Sequence, residues 1–217
     1  RSSSIGENHH QERFRYDDLL QSRLTCWEVD GGRNAIQYFD NGNIKTKTGI
    51  TSDAKISSEY RYIAGSMPHA VTKVTMPTTE FRDHSTPQDI VYTAFNKIKQ
   101  VTQFFPAQSD NPGDQTWNLD VIYGPDEQRK ITRLSCNHEL LLTKYFSSHL
   151  YEVEFSGRTV RKLNYIYGGD GLFAIYVMNG ENDTMYYIHK DYLGSYDVIT
   201  DEGGDVMERL SFDPWGR

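Results

Sequence analysis

Short apolar segments carrying tyrosine recur along this chain, and each is followed by Asp, Asn or Gly. Phe14-Arg15-Tyr16-Asp17-Asp18 leads to Arg23-Leu24, and Ile36-Gln37-Tyr38-Phe39-Asp40-Asn41-Gly42-Asn43-Ile44 follows it. Tyr60-Arg61-Tyr62, Val121-Ile122-Tyr123-Gly124-Pro125-Asp126, Tyr165-Ile166-Tyr167-Gly168 and Tyr186-Tyr187-Ile188-His189 continue the series. Ile90-Val91-Tyr92-Thr93-Ala94-Phe95-Asn96 is a looser copy. Anchors at Tyr16, Tyr38, Tyr62, Tyr92, Tyr123, Tyr145, Tyr167, Tyr187 and Phe212 stand 20 to 31 residues apart. A spacing of this kind marks a repeat array with inserted loops. Alternation puts an aromatic-X-aromatic pair on one face of a strand. Asn41-Gly42, Asn179-Gly180 and Gly203-Gly204 are hairpin turns by composition, because Gly accepts positive φ without a steric penalty. One hairpin cannot bury its own face, whereas stacked neighbours can, so the array is expected to form a continuous sheet.

One stretch departs from this pattern. Thr86-Pro87-Gln88-Asp89 has the form of a helix start, and Ile90, Ala94, Ile98, Val101 and Phe105 follow at helical spacing. A short helix over 87–105 competes here with the strand reading. The run from His138 to Tyr151, with Leu140, Leu141 and Leu142 in succession, is ambiguous. Everything else reads as strand and turn.

Composition agrees with an all-β chain. The 217 residues include 15 Tyr, 10 Phe and 3 Trp, with 17 Gly against 7 Pro, and the aromatic and β-branched residues suit a half-buried pleated surface. The net charge of −7 opposes a general binder of nucleic acid or anionic membrane, since phosphate neutralisation needs clustered Lys and Arg. No apolar run has the length of a membrane-spanning helix. Cys26 and Cys136 do not make a disulfide scaffold; buried thiols are favoured over a single bridge. Arg1 is no start methionine and Pro214-Trp215-Gly216-Arg217 reads as a turn, so the expectation is an internal piece of a longer protein.

Several residues could carry chemistry, and each has a plainer role. Asp201 and Asp205 flank Glu202-Gly203-Gly204, which is turn composition rather than a carboxylate dyad. His189 and Asp191 fall on one strand face, but no third ligand or nucleophile accompanies them; a cross-strand or capping hydrogen bond is the simpler role. His9-His10 lies in a polar stretch. Gly168-Gly169-Asp170-Gly171 lacks the following Asp of a calcium nonapeptide and occurs once, so it reads as a turn. Cys136 and His138 would share a strand face, but a reactive thiolate also needs an electropositive, exposed setting. Phosphate loops, zinc spacings and nucleophile elbows are all missing, so no cofactor, metal or catalysis is expected. Aromatic excess leaves carbohydrate stacking as an alternative, with Trp27, Trp117 and Trp215 the first rings to test.

The repeat resembles that of the Rhs/YD-repeat family. Phe14-Arg15-Tyr16-Asp17 followed by Arg23-Leu24 is similar to its Tyr-Asp repeat. Tyr187-Ile188-His189-Lys190-Asp191-Tyr192-Leu193-Gly194-Ser195, then Thr200-Asp201-Glu202-Gly203-Gly204, then Leu210-Ser211-Phe212-Asp213-Pro214-Trp215-Gly216-Arg217 resembles the Rhs repeat-associated core region. Tyr123-Gly124-Pro125-Asp126 and Leu150-Tyr151-Glu152 resemble the stretch leading into it. On this resemblance, residues 1–120 are divergent repeats and 121–217 run into the core. The family's repeats wind an antiparallel sheet into a hollow shell around a C-terminal toxin, in secreted or surface proteins. The resemblance therefore implies a curved sheet that is part of a shell wall, partnered by the rest of its shell and an enclosed effector. Open sheet edges add an expectation of self-association. In several members the core is an aspartic autoprotease built on a pair of Asp-Pro-X-Gly elements. Only Asp213-Pro214-Trp215-Gly216 occurs here, so no catalytic role is expected for Asp213.

Overall fold

The computed structural model describes residues 2–5, 8–18, 22–29, 32–50, 55–63, 67–75, 87–107, 113–180, 182–191, 193–210 and 212. They form 18 strands and no helix. The chain divides into two units, Arg1–Asn118 and Leu119–Arg217. The first holds β1 (Ser2–Ile5), β2 (Asn8–Tyr16), β3 (Leu24–Val29), β4 (Gly32–Tyr38), β5 (Ile44–Ile50), β6 (Lys55–Tyr62), β7 (Val71–Thr75), β8 (Gln88–Tyr92) and β9 (Ile98–Phe105). Strand β10 (Gln115–Tyr123) contains the dividing point. The second holds β11 (Arg129–Cys136), β12 (Glu139–Ser148), β13 (Tyr151–Ser156), β14 (Thr159–Gly168), β15 (Gly171–Met178), β16 (Thr184–Lys190), β17 (Tyr196–Thr200) and β18 (Val206–Arg209). Within each unit every strand pairs antiparallel with its neighbours in sequence.

One turn design recurs. In Phe39–Asn43, Thr93–Lys97, Gly124–Gln128, Asp191–Ser195 and Asp201–Asp205 the first N–H donates to the fifth carbonyl at 2.8–3.0 Å. The fourth N–H donates back to the first carbonyl at 2.9–3.2 Å. The fourth residue is left-handed each time: Gly42, Asn96, Glu127, Gly194 and Gly204, with φ between 55° and 88°. This is a type I turn closed by a left-handed residue, and it places a bulge in the adjoining strand. Register shifts do fall there, at Gln37/Tyr38, Val91/Tyr92, His189/Lys190 and Ile199/Thr200. At Gly124 the requirement is space, since a Cβ would sit 2.7 Å from both Asp126 Oδ1 and Lys130 Cε.

Of the two readings that compete over 87–105, the strand holds and the short helix is not formed. Pro87 precedes β8, where its fixed φ is compatible with extended chain. Ile90, Ala94 and Ile98 then fall on a strand, a turn and the next strand, so their helical spacing is a coincidence of the hairpin. The ambiguous run from His138 is also settled: Asn137 and His138, both at positive φ, make a two-residue turn between β11 and β12.

Burial is distributed over both faces. Cys26 and Trp27 are adjacent on β3 and both buried, so their side chains leave opposite faces of the sheet. Ala174 and Val177 do the same on β15. Among the described residues, the remaining buried apolar side chains are Ile36 and Val74 in the first unit, and Val121, Leu163 and Leu172 in the second. Most other strand positions are half-exposed, which makes cross-strand pairs and turn chemistry matter more than a deep core.

Candidate functional site

The repeated tyrosines of the first unit act as staples. Tyr38 ends β4 and its hydroxyl donates to the carbonyl of Leu24, where β3 begins, at 2.8 Å. Tyr62 ends β6 and donates to Ile44, the start of β5, at 2.9 Å. Tyr92 ends β8 and donates to Val71, the start of β7, at 2.8 Å. The accepting residues are the partners, across the turn bulge, of Tyr16, Tyr38 and Tyr62 in the preceding hairpins. Each tyrosine thus ties its own hairpin to the one before. Burial, the largest influence, pushes all three phenols above their ordinary range, and so keeps them protonated and donating.

The turns add a second line of contacts at the same strand ends. Asp17 accepts the Arg23 backbone N–H at 2.9 Å and Nε at 2.7 Å, closing the β2–β3 loop. The Arg23 hydrogen bond holds the Asp17 carboxyl below the usual carboxylate range, while the guanidinium lies 5.1 Å from the Tyr38 ring centroid. Asn43, buried in the β4–β5 turn, donates to the Pro68 carbonyl at 2.6 Å and meets His69 Nδ1 at 2.5 Å. Phe39 packs edge-to-face on Tyr62 at 6.3 Å.

The other motif residues serve turns and strands. Tyr16 ends β2 and is 57 % exposed. Asp40 and Gly42 lie in the β4–β5 turn, and Tyr123 and Gly124 enter the Gly124–Gln128 turn of the same design. There Lys130 donates to Asp126, and this bond is the main reason the Asp126 carboxyl is lowered. Tyr167 sits edge-on to His149, and Tyr187 faces Ala174 and Thr200. His189 Nε2 lies 3.0 Å from Thr200 Oγ1 across the strand pair. Asp191 Oδ1 caps the N–H groups of Leu193 and Ser195 at 2.8 and 2.9 Å, with Gly194 in the left-handed position. Asp201 Oδ1 does the same for Gly203 and Asp205, both at 2.9 Å. Asp213, Pro214, Trp215 and Gly216 lie outside the described residues. Gly169-Asp170 makes a two-residue turn, with Gly168 paired to Gly171. Cys26 and Cys136 are free thiols. The expectation that Cys136 and His138 share a strand face is not met, because the strand ends at Cys136 and His138 is in the turn. Trp27 is buried and Trp117 is half-buried, with its Nε1 donating to Gln115.

One constellation had no signal in the tyrosine pattern. On β13, Glu152 and Glu154 are each only 7 % exposed and leave the same face. Glu154 is bound on both sides, by Lys144 of β12 and by Arg161 of β14 at 3.2 Å. The Tyr165 hydroxyl bonds Glu152, and burial together with the two carboxylates drives that phenol far above its ordinary range. A buried carboxylate is tolerated only with partners of this kind. Two glutamates at alternate strand positions are separated by about 7 Å of backbone, too far to share a proton, and neither meets a nucleophile. The cluster ties three strands together. Among the described residues, no group of three or more His, Cys, Asp and Glu is placed to hold a metal ion.

No protein-family model matches the sequence, and no curated protein sequence does. Solved structures resemble it weakly. A TcdB2–TccC3 structure without its hypervariable C-terminal region aligns over 95% of this chain and 13% of its own, at 12% identity and a TM-score of 0.46. The Tc holotoxin pore of Photorhabdus luminescens, carrying the TccC3 mutation D651A, aligns over 97% of this chain and 16% of its own, at 9% identity and a TM-score of 0.44. The chain therefore spans under a fifth of the length of either.

Proposed function

We propose that this chain is a length of wall from an Rhs-type shell, in a secreted or surface protein that encloses and delivers a C-terminal effector. The role is containment, without catalysis. The observation that carries the reading is the tyrosine staple, repeated from Tyr38 to Tyr62 to Tyr92. It fastens each hairpin to its predecessor and can be extended for as many hairpins as the chain supplies. Repeat architectures with nearest-neighbour contacts are built in this way. The ordered run from Tyr187 to Gly216, similar to the Rhs core region, supports the same reading.

The test uses the natural full-length polypeptide. Size exclusion under native conditions followed by a denaturing gel asks whether a C-terminal fragment co-elutes with the repeat region and resists added protease until the fold is denatured. Retention with protection is the expected result. A C-terminal region digested at the rate of an unfolded chain would end the containment reading.

A further inference from the structure

Strands β11 to β14 confine their carboxylates to one face, where Lys144 and Arg161 pair with Glu154. The carboxylates Glu152 and Glu154 leave one face, and Glu139, paired with Cys136, leaves it too. The opposite face carries Ile131, Tyr145, Val153 and Lys162 in one cross-strand row. A second row runs Arg133, Thr143, Phe155 and Val160. Between the strand ends, its charged side chains are Arg133 and Lys162, both exposed. Tyr145, Phe155 and Val160 are 43%, 42% and 37% exposed. Tyr145 and Phe155 stand edge-to-face at 5.6 Å and 85°.

We propose that this face binds an extended acidic polypeptide segment that carries aromatic or aliphatic side chains. Two cations flank an apolar centre with no carboxylate on the same face, so a ligand with paired acids and apolar groups between them is complementary. The cations lie at opposite corners. Three strand spacings separate them in one direction and two residues in the other, about 16 Å in all. An extended chain covers that in about five residues, which sets the spacing of the acids. A nucleic acid fits less well, since it needs many phosphate contacts and meets a chain of net charge −7. Flat sugars and bases need open ring faces, whereas the perpendicular Tyr145–Phe155 pair offers no coplanar platform. Binding at this face requires no enclosed effector.

Fluorescence anisotropy with a labelled random copolymer of glutamate and tyrosine is the direct test, with polyglutamate, polylysine, heparin and oligo-dT as competitors. The expected result is saturable binding that weakens with salt and is poorly displaced by polyglutamate, polylysine, heparin or oligo-dT. The double variant Arg133→Glu/Lys162→Glu should weaken it about tenfold or more. Phe155→Ser should weaken it several-fold. Lys45→Glu/Arg209→Glu, which changes the net charge equally at exposed positions outside β11–β14, should leave it unchanged. Circular dichroism verifies the fold of each, and Val160→Ser replaces Phe155→Ser if the latter unfolds. Equal affinity in the Arg133/Lys162 variant, or equal competition by heparin or oligo-dT, would overturn the proposal.

Discussion

Tyr62→Phe isolates one staple. The substitution keeps the ring, and with it the edge-to-face contact to Phe39, but removes the hydroxyl that donates to Ile44 at 2.9 Å. A net hydrogen bond contributes about 1 kcal/mol, and an acceptor left unpaired in half-buried surroundings can raise the loss to about 2 kcal/mol. Tyr38→Phe and Tyr92→Phe remove equivalent bonds at 2.8 Å. Successive staples are two strands apart, about 10 Å, far enough for their effects to add, so the triple variant should lose about 3 kcal/mol. Urea unfolding followed by tyrosine and tryptophan fluorescence reads this as a midpoint shift. With a slope of about 2 kcal/mol per molar, each single variant moves by about 0.5 M at unchanged slope. Tyr16→Phe is the control, because Tyr16 is 57 % exposed and its loss should stay within about 0.5 kcal/mol. If Tyr62→Phe is as silent as Tyr16→Phe, the tyrosines do not fasten the hairpins.

Gly42→Ala should cost about 1–2 kcal/mol in the same assay: its φ of 85° penalises any Cβ, though the space around it is open. A neutral outcome would mean the turn can rearrange. Glu154→Ala leaves Lys144 and Arg161 without their shared carboxylate. Both cations are a third to a half exposed, so water recovers part of the loss and about 1–2 kcal/mol is expected rather than the full effect of breaking a buried pair. Asp17 has a folded-state pKa below its ordinary value. Its contribution is therefore complete above about pH 4 and disappears as pH falls through the lower folded value. Stability measured from pH 6 down to 2 should fall less steeply below 4 in Asp17→Asn than in the parent, and identical slopes would exclude the Asp17–Arg23 bond as the source.

The sheet and its turns were legible because their signals are local. Tyrosine before a turn, and Asn-Gly or Gly-Gly within it, report on φ and on strand alternation inside a few residues. Residues 87–105 misled for the same reason: Ile90, Ala94 and Ile98 fit a helical face when read in isolation. The decisive residue there is Asn96, whose φ of 64° closes the turn and which occupies the position of Gly42 in the clearer repeat. Glu152 and Glu154 were missed for the opposite reason. Tyr-Glu-Val-Glu-Phe reads as a strand with its acids in solvent, and the groups that satisfy them, Lys144 and Arg161 for Glu154 and Tyr165 for Glu152, come from neighbouring strands. Nothing within the segment announces those partners. The hydroxyl acceptors of Tyr38, Tyr62 and Tyr92 lie 14 to 21 residues upstream, so sequence showed where the tyrosines stand but not what they bind.

The staple also restricts how such a chain can change its length. Each hydroxyl reaches the strand start of the hairpin before its own, a rule indifferent to which hairpin that is. Excising β5 and β6 together would leave Tyr92 on the carbonyl of Val71 and Tyr38 on that of Leu24, with strand directions intact. Excising β5 alone would reverse every later strand and strand each tyrosine at the wrong end of the sheet. Insertions and deletions in this lineage should therefore come in pairs of strands, and the folding error open to it is a slip by a whole hairpin rather than by one residue.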